Sequence, residues 1–287
     1  MGIFVRKLGG DGFSPIQIVC IRVVLASLIF SLIQLIKDPA GFRISLRDIP
    51  LFLGLGLGSI LFFTVCYFTA ITMMSLSTAA ILLYTSPIWI MLMSLLLFKE
   101  KLTARKLIAL FLAFGGCVLV SGISGEGVSV TGLLVGIGAG IGYALYSILG
   151  TIALRRYSPL TVTTWTFLIA ALGSLFISQP ADIVATVTTA PSPPGLLGFC
   201  LLTALVTAII PFLSYTLGLR SVEASKAGIL AMVEPMVATI MGVLVFSERL
   251  TFLSGAGVLL ILSAVVLLNT PKARHKATII SPSDIQR

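Results

Sequence analysis

The chain has 287 residues, 57% hydrophobic and 10% charged, with a mean hydropathy of +1.13 and a formal net charge of +9. A soluble domain carries about 25% charged residues, so this chain cannot cover itself with a polar surface and is an integral membrane protein. Backbone groups in lipid must be satisfied internally, which leaves helices or a closed barrel, and apolar runs of ~18–22 residues without alternation select helices.

Residues 2–5 are apolar but too short to span, and 6–14 read as a glycine-rich, charged loop. The first complete span is 15–36, followed by a polar loop at 37–48 and a second span at 50–71. A turn at Met74 and Ser75 leads to a span at 76–98, a basic turn at 99–106 and a span at 107–121. After a loop at 122–130 the rhythm resumes with spans at 132–154 and 160–178. Residues 179–195 form the longest loop, and spans follow at 196–219, 226–246 and 252–268. Residues 270–287 are a polar, basic tail. The start of the chain lacks the order of charged, apolar and cleavage-site segments that marks a secretory signal.

The chain contains one stretch twice. Residues 67–103 slide forward 148 positions onto 215–251 without a gap, and 12 of the 37 positions are identical. They include Tyr67/Tyr215, Pro87/Pro235, Phe98/Phe246, Glu100/Glu248 and Thr103/Thr251. Such self-similarity decides the architecture. The first repeat is 1–122 and the second 131–269. The pair Ser14-Pro15 corresponds to Ser158-Pro159, yet 26 residues separate Gly132 from Ser158 and only 13 separate Met1 from Ser14. The reading is therefore nine full spans plus a truncated first helix, short by ~20 Å at 1.5 Å per residue, in a parent plan of 5+5 helices.

Basic residues sit singly or in pairs between the apolar runs, the pattern of a topology signal rather than of a nucleic-acid surface. With the tail inside, 15 of the 19 Lys and Arg fall on the cytoplasmic side, which places the C-terminus there. Five helices per repeat is an odd number, so the copies run in opposite directions through the bilayer. Inverted repeats belong to alternating-access carriers with a midplane site between the halves.

On these residues the chain resembles the EamA family of the drug/metabolite transporter superfamily. The resemblance is carried by Arg22 after the Ser-Pro, Ala79-Ala80, Ser86-Pro87 and the run from Phe98 to Thr103. The second copy has Ala227-Gly228, Glu234-Pro235 and the run from Phe246 to Thr251. The family implies an all-α, ten-helix inverted-repeat carrier in the plasma membrane, with a central cavity, moving small polar or amphipathic metabolites, often outward.

The residues themselves point the same way. Glu234 is the only acidic residue well inside a span, and such a group costs about 2.5–3.5 kcal/mol unless it faces a cavity or partner. It is expected to bind a substrate amine or to carry a coupling proton; a structural carboxylate paired with Lys226 or Arg220 is the other reading. Its repeat mate is Ser86. Pro87 and Pro235 lack an N–H and free the carbonyls of Leu83 and Ala231, so both are read as hinges lining the path. Tyr67, Tyr84, Trp89, Tyr143, Tyr146 and Tyr215 offer aromatic faces with polar handles for an amphipathic substrate. Each could equally be core or interfacial belt.

Arg22 is expected to snorkel or to meet anionic groups. Thr103 and Thr251 are expected to N-cap the following helices, with Glu100 and Glu248 tethering their turns. Gly136 and Gly140 have the small-xxx-small spacing of close helix packing. Cys20, Cys66, Cys117 and Cys200 are expected as free thiols.

The resulting expectation is an amino-acid-like substrate, a lipid environment, no nucleic acid, no cofactor or metal, and a monomer or homodimer. Two rivals remain. A receptor or scaffold would bind without moving its ligand. An intramembrane enzyme would use Ser124 in Gly122-Ile-Ser124-Gly125, which resembles a rhomboid-like Gly-x-Ser-Gly. That nucleophile needs a base, and the single histidine, His275, lies in the tail.

Overall fold

The computed structural model describes residues 2–121, 129–246 and 251–270. Every element in it is helical: α1 (Gly2–Gly10), α2 (Pro15–Lys37), α3 (Leu46–Met73), α4 (Leu76–Leu83), α5 (Ser86–Phe98), α6 (Ala104–Ser121) and α7 (Val130–Ala153). The order continues with α8 (Pro159–Ile177), α9 (Pro180–Thr189), α10 (Pro193–Leu219), α11 (Ala224–Ala231), α12 (Val233–Phe246) and α13 (Phe252–Asn269). Among the described residues, eight helices are long and apolar enough to cross a membrane. This is an all-α membrane transporter fold.

Three differences from the sequence reading have physical causes. Residues 6–10, read as loop, continue α1, whose Leu8 is completely buried beside Ile18, Ile21 and Cys200. The long loop at 179–195 contains the ten-residue α9, begun by Pro180, where a missing N–H costs nothing. Two of its apolar residues, Ile183 and Val187, pack beside α1 and α10. The eighth expected span, 226–246, is split at Met232 into α11 and α12.

Local chemistry repeats between the copies. Ser14 and Ser158 each N-cap a helix whose first residue is proline: Gln17 N donates to Ser14 Oγ at 3.3 Å and Thr161 N to Ser158 Oγ at 3.1 Å. Lys106 N donates to Thr103 Oγ1 at 3.3 Å and Ser254 N to Thr251 Oγ1 at 3.1 Å, so both threonines cap as expected. Two π-helical stretches also match. Leu205–Ile209 in α10 lies 148 positions after the second part of Gly54–Leu61 in α3. Wide turns of this kind often sit near functional regions.

Packing in lipid depends on close approach, since lipid tails are as apolar as side chains. The pair α2 and α8 closes around Phe30 and Phe167, with ring centroids 5.3 Å apart. α6 and α13 touch backbone to backbone: a Cβ on Gly116 would lie 2.7 Å from the Gly257 carbonyl oxygen, and one on Gly257 2.6 Å from that of Gly116. α7 meets the first copy through its glycines, because a Cβ on Gly136 would come within 2.4 Å of Leu82 and one on Gly140 within 2.8 Å of Thr85 Oγ1. The four cysteines are free, and Cys20, Cys117 and Cys200 are buried.

Candidate functional site

The site grows from two interrupted helices. α4 stops at Tyr84 (φ −70°, ψ 1°), and α11 stops at Met232 (φ −67°, ψ 0°), 148 positions later. Three residues beyond each stop stands a proline, Pro87 or Pro235. Neither has an N–H for the carbonyl four residues back, which belongs to Leu83 or Ala231. A carbonyl so released is tolerated at membrane depth only where protein or a cavity receives it. Both Leu83 and Ala231 line a cleft together with Tyr84, Ser86, Pro87, Tyr143, Gly228, Met232 and Glu234. The cleft measures about 10 Å³, the room of about one water.

Glu234 occupies the first turn of α12, and its side chain is exposed on the cleft. The break behind it makes this position a helix N-terminus, where free N–H groups and the helix dipole favour negative charge. The sequence reading took 226–246 as unbroken and missed this. Tyr67, Tyr84, Tyr143 and the Cys117 thiol all lie within electrostatic reach of the Glu234 carboxylate. Among the described residues, no Lys or Arg is on the cleft wall.

The expected aromatics divide. Tyr84 and Tyr143 are on the wall. Tyr67 stands behind it, stacked on Phe63 at 6.1 Å, while Phe63 meets Tyr143 edge-on at 5.5 Å. Tyr215 stands behind Tyr143 at 6.5 Å and shares a hydrogen bond of 2.8 Å with Ser147. Trp89 and Tyr146 are engaged elsewhere. Trp89 Nε1 donates to Thr85 Oγ1 at 3.3 Å and its ring joins an apolar cluster beyond the cleft. Tyr146 is buried against Phe212 with its hydroxyl 2.6 Å from Thr216 Oγ1. Ser86 is a buried wall residue at the start of α5. Pro235 is buried beside the wall rather than on it.

One contributor had no sequence signal. The Cys117 thiol, on α6, points to the Met232 carbonyl at 3.8 Å and steadies the second break. Arg22 is buried and donates from Nη2 to the Thr207 carbonyl at 3.0 Å, inside the π-helical stretch of α10. It ties α2 to a carbonyl in a region of altered helical pairing, and does not reach the cleft wall. Glu234 has no ion pair with Lys226, whose ammonium is instead 3.5 Å from Glu223.

Comparison with known proteins decides the family. The pattern of the EamA-like transporter family matches residues 1–122 and again 130–270. The chain belongs to the EamA-like transporter family. An uncharacterized transporter of Archaeoglobus fulgidus is 28% identical over 270 residues, covering 93% of this chain and 90% of that protein. The uncharacterized transporter YyaM of Bacillus subtilis is 24% identical over 277 residues, covering 92% and 88%. A crystal structure with 17% identity superposes with a TM-score of 0.74 over 93% of both chains, which shows the shared fold. For this EamA-like chain the result is a multi-pass membrane transporter. Ser124, Glu248 and the tail with His275 lie outside the described residues.

Proposed function

We propose that the chain is an alternating-access carrier of the plasma membrane, with its C-terminus in the cytoplasm, that exports small amphipathic metabolites bearing an amine, amino acids among them. The observation that carries this reading is the composition of the cleft: one carboxylate at a helix N-terminus, tyrosines around it and, among the described residues, no basic side chain on its wall. A carboxylate in such surroundings selects a cation, and tyrosine rings add cation–π attraction and hydrogen-bonding hydroxyls. A sugar phosphate would call for buried Arg or Lys. Inverted five-helix repeats, each contributing a broken helix to the cleft, provide the two related surfaces that alternating access needs.

Glu234 is assigned the amine, and Tyr84, Tyr143 and Ser86 the rest of the substrate, with Tyr67 and Tyr215 holding the wall rings in place. Pro87 and Pro235 are assigned the bending points. The same carboxylate can exchange its substrate for a proton, so proton antiport is the proposed coupling.

The test is flux in proteoliposomes loaded with amino acids and amines, under imposed pH gradients. Counterflow driven by the gradient, and lost in Glu234→Gln, is expected. Flux and pH profile unchanged in Glu234→Gln would remove both roles from this residue. Ligand binding without flux of any candidate would identify a receptor.

A further inference from the structure

Beyond the cleft, along the route toward the basic turns, the two halves are joined by charge. Lys106, at the start of α6, is buried, with its side chain 6% exposed. Its ammonium lies 3.1 Å from Glu100 of its own half and 2.8 Å from Glu223 of the other. Ser225 of the second half donates its hydroxyl to the same Glu100 carboxylate. A buried ammonium held by two carboxylates is a high-stakes contact, because removing one partner strands the rest. Lys106 draws the Glu223 carboxyl below its ordinary range, first through this hydrogen bond.

Between this cluster and the cleft lies an apolar plug, also built from both halves. Ile90, Ala144, Ile148, Leu219 and Ala224 are each less than 5% exposed there. Arg155 caps the plug over the Phe98 ring, 5.2 Å from its centre.

The repeat shows what is special about this end. By the 148-residue shift, Lys106 corresponds to Ser254, Glu223 to Ser75 and Lys226 to Thr78. Three residues charged at this end are hydroxyls at the repeat-related positions. The hydroxyls bond locally: Ser75 Oγ to Thr78 Oγ1 at 2.9 Å, and Ser254 Oγ to Thr251 Oγ1 at 2.9 Å. Ser75 caps its own helix, accepting from Thr78 N at 3.2 Å. Glu223 holds the matching N-cap position of α11 but makes no side-chain cap bond. Its carboxylate crosses to the other half instead.

We propose that Lys106, Glu100, Glu223 and Ser225 form a one-sided ionic latch that holds the cytoplasmic mouth of the carrier closed. Inverted repeats alone would make the two mouths near-equivalent. The latch breaks that symmetry and biases the resting population toward the state closed to the cytoplasm. Opening inward requires the Lys106–Glu223 contact to part, while Glu100 and Lys106 stay together on one half. The latch rests on the alternating-access reading, but it is tested without a transport substrate.

The test uses the full chain with Cys20, Cys66, Cys117 and Cys200 replaced by serine and a single reporter, Ala227→Cys, in the plug. A membrane-impermeant maleimide is applied to inside-out vesicles. Labelling is slow with the latch intact. Lys106→Met is expected to speed it about tenfold, the shift that follows from weakening the closed state by about 1.4 kcal/mol. Lys106→Arg should restore slow labelling, and Ser75→Glu with Ser254→Lys, which installs the charges at the repeat-related positions of the opposite mouth, should also speed it. Where Lys106→Met fails to fold, Glu223→Gln supplies the reading with a smaller expected rise. Labelling as slow in the folded Lys106→Met or Glu223→Gln chain as in the parent overturns the latch. Labelling that follows the pattern in a chain that carries no substrate would instead leave the latch standing and fail the transport reading.

Discussion

The two broken helices share a backbone and differ in chemistry. Tyr84 to Pro87 and Met232 to Pro235 stop their helices with the same near-zero ψ and release carbonyls from the same relative position. Yet the residue before the proline is a buried serine in one copy and a cleft-exposed glutamate in the other. Their supports differ as well. The first break is pressed by Gly140 from the opposite half, and the second is steadied by Cys117 from the neighbouring repeat. Duplication therefore preserved the backbone of the kink, while the charge beside it is carried by one copy.

That contrast can be broken at several points. The largest effect is expected from Gly140→Leu. A Cβ alone would sit 3.1 Å from the Leu82 carbonyl oxygen, and overpacking of this kind costs about 1–3 kcal/mol. Thermal unfolding in detergent should register it at the high end of that range, since the obstacle includes backbone. Next, Glu234→Gln should lower flux of an amine substrate at least about tenfold, or about 1.4 kcal/mol, with unfolding temperature unchanged. Ser86→Ala, the same position in the other copy, should change flux less than about threefold, or about 0.6 kcal/mol. Equal losses in the two variants would show that chemistry is shared after all. A stability readout tests the symmetric part: Thr103→Ala and Thr251→Ala each remove a helix cap and should each cost about 1 kcal/mol. A clear difference between them, read by thermal unfolding, would mean that the buried Lys106 beside Thr103 adds to that cap.

Much of this fold was legible in the residues, and for identifiable reasons. Long apolar runs, Ser-Pro helix starts and Thr caps are local signals, and each recurs at its repeat position. Gly136 and Gly140 announced close packing because small residues in a membrane helix have few other uses. The continuation of the short first helix through residues 6–10, and all of α9, were read as loop because their apolar residues find partners only after folding. The π-helical stretches left no signal beyond the glycines at 54, 56 and 58. At the cleft, Glu234, Ser86 and the prolines could be found from the repeat alone. The division of the aromatics could not, because Tyr143 on the wall and Tyr146 in the core are three residues apart on one helix. Cys117 carried no mark that set it apart from any small apolar residue. The charged cluster at Lys106 was visible as separate basic and acidic residues, but its cross-half pairing depends on two distant turns meeting.

The contact between α6 and α13 has a mechanical consequence. Val120 lies against Gly257 and Gly116 against Ile261, so the two helices run antiparallel and meet without side chains between them at the glycines. Ala109 and Ala264, their counterparts by the repeat shift, are completely buried. Such a seam has no slack: separating it would open a void, and thickening it would wedge the backbones apart. It is therefore the natural axle of the molecule. Any rocking of one half against the other would leave this line nearly still and take its travel away from it, at the contacts that Cys117 and Lys106 of α6 make with the second half.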